Sequence, residues 1–336
     1  MSYALLKECL EIHSVNEISK ILNIVPSTVN RWLLLEDVPS NYDFNLLKIL
    51  GKEIDYSQYS FKSKDQFFTP QDMAKNCIDI FINETGIDIN QYSFIEPSAG
   101  DGSFYKLLPK NKIGIDVEPR CEGVLKKDFL TWKPENNTKN IVIGNPPFGL
   151  RGHLALNFIN HSFEFADYVA FILPQLFESD GRGSPRKRVN GFNLIYSEKL
   201  SGMFHFPDGN KTQVNGVFQI WSKHTKNNKY ELVSNNNKNI KIFSISDGET
   251  ISSRRNVNMI GKCHLYLPST CFGDANMKTY DDFESLPGKK GYGIYFQTNV
   301  EEMIEKTKTI SWKDVSFRST NSALNLRTSI ISKNIT

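Results

Sequence analysis

Asn145-Pro146-Pro147-Phe148 has the residue types needed to hold a planar amine. Asparagine brings an amide oxygen and phenylalanine a ring face. Proline fixes φ near roughly −65° and has no N–H to donate. The carbonyls of Pro146 and Pro147 are therefore open to an outside donor. An exocyclic amine on a planar base would donate to the Asn145 side-chain oxygen and to the Pro146 carbonyl, with Phe148 stacked on the ring. The preceding Ile141-Val142-Ile143 is apolar and β-branched, the pattern of a buried parallel strand. A rigid strand exit would explain Pro-Pro alone, but it explains Pro-Pro between Asn and Phe poorly.

Other stretches could hold a small nucleoside-like molecule beside that amine site. In Glu96-Pro97-Ser98-Ala99-Gly100-Asp101-Gly102 a strand runs into a small-residue turn. Glycine there lets the backbone approach a ligand closely, and a helix is expected to follow. The spacing is not G-x-G-x-x-G, which favours a cofactor without a pyrophosphate. Asp116, about 20 residues on, ends the next strand where ribose hydroxyls are captured, with Glu118 behind it. Asp128 could accept from an adenine amine and Phe129 could pack on the adenine face; an ordinary turn aspartate is the plainer alternative. Upstream, Phe68-Thr69-Pro70 opens a helix whose N-terminus could hold a carboxylate.

These residues need a frame. From 92 to 222, apolar runs at Tyr92–Glu96, Ile113–Val117, Ile141–Gly144, Tyr168–Pro174, Gly202–Phe206 and Val214–Trp221 alternate with helical stretches. That pattern predicts a mainly parallel α/β sheet, covered on both faces. Gln71–Asn83 is predicted as a helix. Residues 1–50 are predicted helical, with Ile18, Ile21 and Leu22 inward, a turn at Asn23, and a second helix from Pro26 with Val29 and Trp32 inward. This segment resembles a helix-turn-helix, which would turn Ser27, Thr28, Asn30 and Arg31 toward bases. A small packing bundle is the alternative, supported by its charge. Residues 51–63 form a linker, 64–225 the α/β domain, and 226–336 a small β-rich module.

Thirty-nine per cent hydrophobic and 23% charged residues describe an ordinary globular chain of 336 residues. The formal charge of +3 is unevenly spread. Residues 1–50 carry 4 Lys/Arg against 6 Asp/Glu, whereas 223–336 carry 17 against 11. Basicity in the last third suits a phosphate backbone. The candidate contacts are Arg31, the run Arg182, Arg186, Lys187 and Arg188, and the pair Arg254-Arg255. The cysteines have neither C-x-x-C nor Cys/His ligand spacing, so no metal and no disulfide framework are expected. No apolar run reaches the ~18 residues of a membrane span, and no signal peptide is visible. A cytoplasmic protein, bacterial or virus-encoded, is expected.

Taken together and in this order, Gln66–Pro70, Glu96–Phe104, Asp116, Asp128-Phe129 and Asn145–Phe148 resemble the S-adenosylmethionine-dependent DNA adenine-N6 methyltransferases. The resemblance covers residues 64–222. It implies a Rossmann-like, class I catalytic domain with a seven-stranded sheet, and target recognition at the C-terminal end. It implies that Phe68, Thr69, Pro70, Glu96, Pro97, Ser98, Gly100, Asp116, Asp128 and Phe129 bind S-adenosyl-L-methionine. Asn145, Pro146, Pro147 and Phe148 would hold a flipped adenine. Double-stranded DNA is the implied partner, with a cognate restriction endonuclease a further partner in restriction-modification systems. An RNA adenine, a protein glutamine, a cytosine N4, or a non-catalytic DNA-binding regulator on the same fold are the alternatives. The N-terminal helical segment is not a standard part of the family.

Overall fold

The helical periodicity of the first 50 residues is realised in α1 (Ser2–Ile12), α2 (Val15–Ile21), α3 (Pro26–Leu35) and α4 (Asp43–Ile49). The structure is a computed structural model, and it describes residues 2–22, 24–61, 63–135, 138–179, 184–230, 239–250, 253–318 and 322–335. Asn23 and Arg182 fall outside the described residues. Ser14 caps α2 in a reciprocal capping box with Glu17. Leu6, Cys9, Ile18, Leu22, Val29, Trp32 and Leu46 close a core of their own. Ile21, expected inside, ends α2 and is half exposed.

The chain divides into two compact units, residues 1–171 with 202–214, and residues 172–201 with 215–336. Besides the N-terminal helices, the first unit holds α5 (Gln71–Thr85), β1 (Ser93–Glu96), β2 (Lys112–Asp116), β3 (Val124–Lys126), β4 (Asn140–Gly144) and α6 (His153–Ser162). Strands β5 (Tyr168–Pro174), β6 (Asn193–His205) and β7 (Lys211–Ser222) follow. Among the described residues these strands form one seven-stranded sheet, in the order β3-β2-β1-β4-β5-β7-β6. The pairs β1–β2, β1–β4, β2–β3 and β4–β5 are parallel. This is the mainly parallel sheet that the strand–helix alternation predicts, with the seven strands and Rossmann-like order that the resemblance implies. Strand β4 is buried along its whole length, as its β-branched run requires.

Local details depart from the expectation. No α-helix follows the glycine turn; a 3-10 turn at Tyr105–Leu107 takes its place. Gly100 and Gly102 both have positive φ, and Asp101 caps the Ser103 N–H. With Pro109 close behind, the segment is too short to repay helix nucleation. Strand β3 adds to the expected set; Val124 is partly buried, Leu125 and Lys126 are exposed, and the three show no pattern. Strand β6 begins well before Gly202, its polar middle hiding the alternation.

The second unit continues with β8 (Ile240–Ser246), β9 (Leu265–Pro268), β10 (Thr270–Cys271) and β11 (Lys290–Phe296). Then come α7 (Val300–Lys308), α8 (Trp312–Val315), β12 (Phe317–Arg318), β13 (Leu324–Asn325) and α9 (Thr328–Ile335). Antiparallel β8-β11-β9 forms the larger sheet of this β-rich region. Leu265, Leu267, Ile294, Trp312, Leu326 and Ile331 fill its core. No helix among the described residues is long and apolar enough to cross a membrane.

Candidate active site

Buried β4 delivers Asn145 to the carboxyl end of the sheet, the end at which ligands bind in open α/β folds. Gly144 makes this exit possible, since a Cβ there would stand 3.2 Å from Glu96 Cγ. Asn145 Oδ1 is buried and has no hydrogen-bond partner among the described residues. An amide oxygen in that state costs free energy until a donor arrives. The Asn145 backbone carbonyl accepts from the Ser98 hydroxyl at 3.0 Å, which ties the exit loop to the glycine turn. Pro146 is buried, while Pro147 and Phe148 are half-buried. Phe148 meets Phe67 edge-on, with centroids 5.3 Å apart.

Asp65 fixes the far end of this loop. Its Oδ2 accepts the Gly149 N–H at 2.7 Å across 84 residues of sequence. Burial raises the Asp65 carboxyl above its ordinary range, and the Gly149 N–H opposes that shift. The resemblance counts Asp65 in the cofactor stretch Asp65–Pro70; its bond to Gly149 is not legible in the sequence, because that partner comes near only once the chain is folded.

The glycine turn is braced by Asp116. Its Oδ2 accepts from Gly100 N and its Oδ1 from Glu118 N, each at 2.7 Å. The sequence directs Asp116 at ribose hydroxyls; the structure gives it a backbone-bracing duty, with further lone pairs left on each oxygen. Burial raises its pKa, against those N–H donors. Gly100 has φ 53°, and a Cβ there would lie 2.7 Å from the Phe68 ring. Phe68 therefore rests directly on the turn. His205 holds it there through backbone hydrogen bonds in both directions, of 2.7 and 3.2 Å. The His205 Nε2 also lies 3.2 Å from Asp101 Oδ2. Thr69 is buried and Pro70 precedes the first turn of α5 without a side-chain cap.

Glu96 is the most heavily perturbed group in this cradle. It is 2% exposed, and its Oε2 has no partner among the described residues. Burial pushes its pKa well above the ordinary value; Asp116 and Asp101 push the same way, and the Tyr105 N–H pulls back. A buried carboxylate with an orphaned oxygen and acidic neighbours is short of positive charge. The cradle of Glu96, Pro97, Ser98 and Gly100 thus fits a cationic ligand that comes close to the backbone.

Asp128 caps its own turn through Leu130 N at 3.0 Å, and its Oδ2 accepts from Lys48 Nζ at 2.7 Å. Phe129 is enclosed by neighbouring rings. It is 1% exposed, with Phe158 and His161 each 5.1 Å away between ring centroids. Trp132 and Phe165 complete the ring cluster around it, at 6.5 and 6.0 Å. Among the described residues, no group of His, Cys, Asp and Glu could hold a metal ion.

The basic candidates separate in the same way. Arg31, Lys187, Arg254 and Arg255 are exposed. Arg186 and Arg188, expected in a phosphate-clamping loop, turn partly inward in a 3-10 turn. Arg186 donates to the Tyr230 carbonyl and Arg188 to that of Ser184. Backbone carbonyls left over at loop ends are natural partners for guanidinium groups, and the charge run alone cannot show this. Arg254 lies 3.4 Å from Asp247.

No protein-family model matches the chain, and no curated protein matches it. Solved structures do. A putative RNA methyltransferase from Pyrococcus horikoshii is similar at 18% identity over 54% of this chain and 98% of that one, with a TM-score of 0.38. The type IIG restriction endonuclease BpuSI is similar at 13% identity over 54% of this chain and 27% of that one, TM-score 0.35. Magnesium protoporphyrin IX methyltransferase from Synechocystis PCC 6803, solved with bound SAM, is similar at 10% identity over 56% and 98%, TM-score 0.32.

Proposed function

We propose that this chain is an S-adenosylmethionine-dependent methyltransferase acting on the N6 amine of adenine in double-stranded DNA. The observation that carries the reading is the buried, unpartnered Asn145 Oδ1 at the exit of β4, beside a proline carbonyl and the half-buried Phe148. The orphaned Glu96 oxygen in the adjoining cradle supports a cofactor that carries positive charge. When bound, S-adenosylmethionine supplies an electrophilic methyl group on a sulfonium. In this reading Glu96, Pro97, Ser98, Gly100 and Phe68 hold its methionine end, with the carboxylate near Thr69 and Pro70. Asp116 and Asp128 face the ribose and the adenine.

The chain's own part in the chemistry is positioning and electrostatics. Adenine N6 is a weak nucleophile because its lone pair is shared with the ring. Asn145 Oδ1 and the Pro146 carbonyl accept its two N–H groups, which favours a pyramidal nitrogen with a localised lone pair. As the new N–C bond would form, the sulfonium C–S bond would break and its electron pair leave with sulfur as a neutral thioether; the nitrogen then becomes acidic and releases one proton to water, so no strong general base is needed. A duplex adenine must leave the stack to enter such a site, and Phe148 replaces part of the lost stacking. Arg31 on α3 and the exposed Lys187, Arg254 and Arg255 are candidate backbone or base contacts. A cognate restriction endonuclease would be a further partner.

The test is incubation with radiolabelled S-adenosylmethionine and, separately, unmethylated duplex DNA and total RNA, followed by digestion to nucleosides. Label in N6-methyldeoxyadenosine supports the proposal. Label in RNA alone, or none in either, overturns it in favour of an RNA enzyme or a non-catalytic regulator.

A further inference from the structure

Residues 43–66 run from α4 through the following linker into the start of the α/β domain, and Lys48 and Lys64 among them lie against acidic residues of that domain. Lys64 makes the firmest of these pairings. Its side chain is only 7% exposed, and its ammonium donates to Glu118 Oε2 at 2.6 Å and to the Tyr56 carbonyl at 3.1 Å. Lys48 reaches Asp128 Oδ2 at 2.7 Å, in a pair left 41% and 26% exposed. Phe44 stands one helical turn before Lys48, so both project from one face of α4. The Phe44 ring meets those of Tyr56 and Tyr59 at 5.6 and 4.5 Å. Tyr56 is partly buried among the same acids. Burial, then the charges of Asp128, Glu118 and Asp116, push its hydroxyl up to about 12.

A lysine this buried is normally paired, and its pairing fixes the partner as firmly as itself. Glu118 follows Asp116 by two residues, and its backbone N–H is one of the donors that orient the Asp116 carboxylate. Holding Glu118 therefore holds the end of β2. Lys48 acts likewise on Asp128, more loosely because water competes for both ions.

We propose that residues 43–66 complete the adenosine end of the cofactor site, with Lys64 as the positioning residue for Glu118 and the end of β2. The inference rests on the cofactor reading above and goes beyond it. It assigns α4 and the linker after it, closed by Lys64, a part in cofactor binding, whereas the helix-turn-helix resemblance points only to target choice.

The experiment is calorimetric titration of the full chain with S-adenosylhomocysteine, alongside steady-state kinetics. Lys64→Met keeps the aliphatic stem and removes the charge, and should weaken binding about tenfold, because the Glu118 carboxylate it leaves unpaired no longer holds the end of β2 in place. KM for S-adenosylmethionine should rise by a like factor while kcat at saturation holds. Lys64→Arg should restore most of the affinity. Lys48→Met should cost only about two- to fivefold, as befits an exposed pair. Glu118→Gln breaks the same buried pair from the other side, and the double variant should lose no more than either single change. Lys64→Met and Glu118→Gln proteins that melt earlier but bind as the wild type does would overturn the inference and leave the proposed function standing. Wild-type protein that binds neither cofactor nor product would overturn the proposed function itself.

Discussion

Single atoms decide most at the residue scale. Asn145 Oδ1 waits for a donor, so Asn145→Ala should lower kcat by about 10²–10³-fold, the usual loss for one preorganised transition-state hydrogen bond. Cofactor affinity should persist, and retained turnover would remove the target-base assignment. Glu96 gives a pH prediction. Its folded pKa lies well above 4.5, where it ionises in the unfolded chain. As pH rises above 4.5, the unfolded state loses the proton first, so the folded protein binds more protons and its stability falls. That loss continues until pH passes the raised pKa. Glu96→Gln removes it, and the ligand-free variant should melt higher than wild type at pH 7 with a flatter pH profile. The same variant should bind a cationic cofactor more weakly. Thermal melting across pH, with and without S-adenosylmethionine, checks both halves.

At the scale of elements, the site depends on how loops are pinned to strand ends. The Asn-Pro-Pro-Phe loop is held at one end by Ser98 and at the other by the Asp65–Gly149 hydrogen bond. Gly149 has φ 65°, and a Cβ there would come within 2.6 Å of Leu154 Cβ. Gly149→Ala should therefore cost about 1–3 kcal/mol of stability from backbone strain. It should also lower kcat more than it raises KM for the cofactor, because the strain falls on the target-base loop. Denaturant unfolding and steady-state kinetics on the purified variant separate the two effects. Strand β4 and the glycine turn are legible in the sequence because burial and small residues leave strong marks. The enclosure of Phe129 is not, because most of the rings around it come from α6 and the following turn.

At the scale of the whole molecule, the charge is the open feature. Exposed Arg254 and Arg255 stand in the basic final third of the chain, and exposed Lys187 in the basic run before it. If they meet phosphates, replacing all three with alanine should weaken duplex binding alike for all sequences. The slope of log K against log salt should become shallower by about 0.9 for each phosphate no longer neutralised. Fluorescence anisotropy over a salt series measures this, and an unchanged slope would take these residues out of the interface. The sequence by itself determined the α/β frame, the strand that carries Asn145, the glycine turn and the basic final third. Each depends on local residue type or on periodicity, which short stretches of chain express. Only the tertiary structure decided which charges are spent and which are open: Arg186 and Arg188 on carbonyls, Asp116 on its own turn, Lys64 on Glu118 and Lys48 on Asp128. The pairs of Arg186, Lys64 and Lys48 join residues 44, 54 and 80 positions apart, and such a hydrogen bond leaves no trace in sequence until folding has brought its donor and acceptor together.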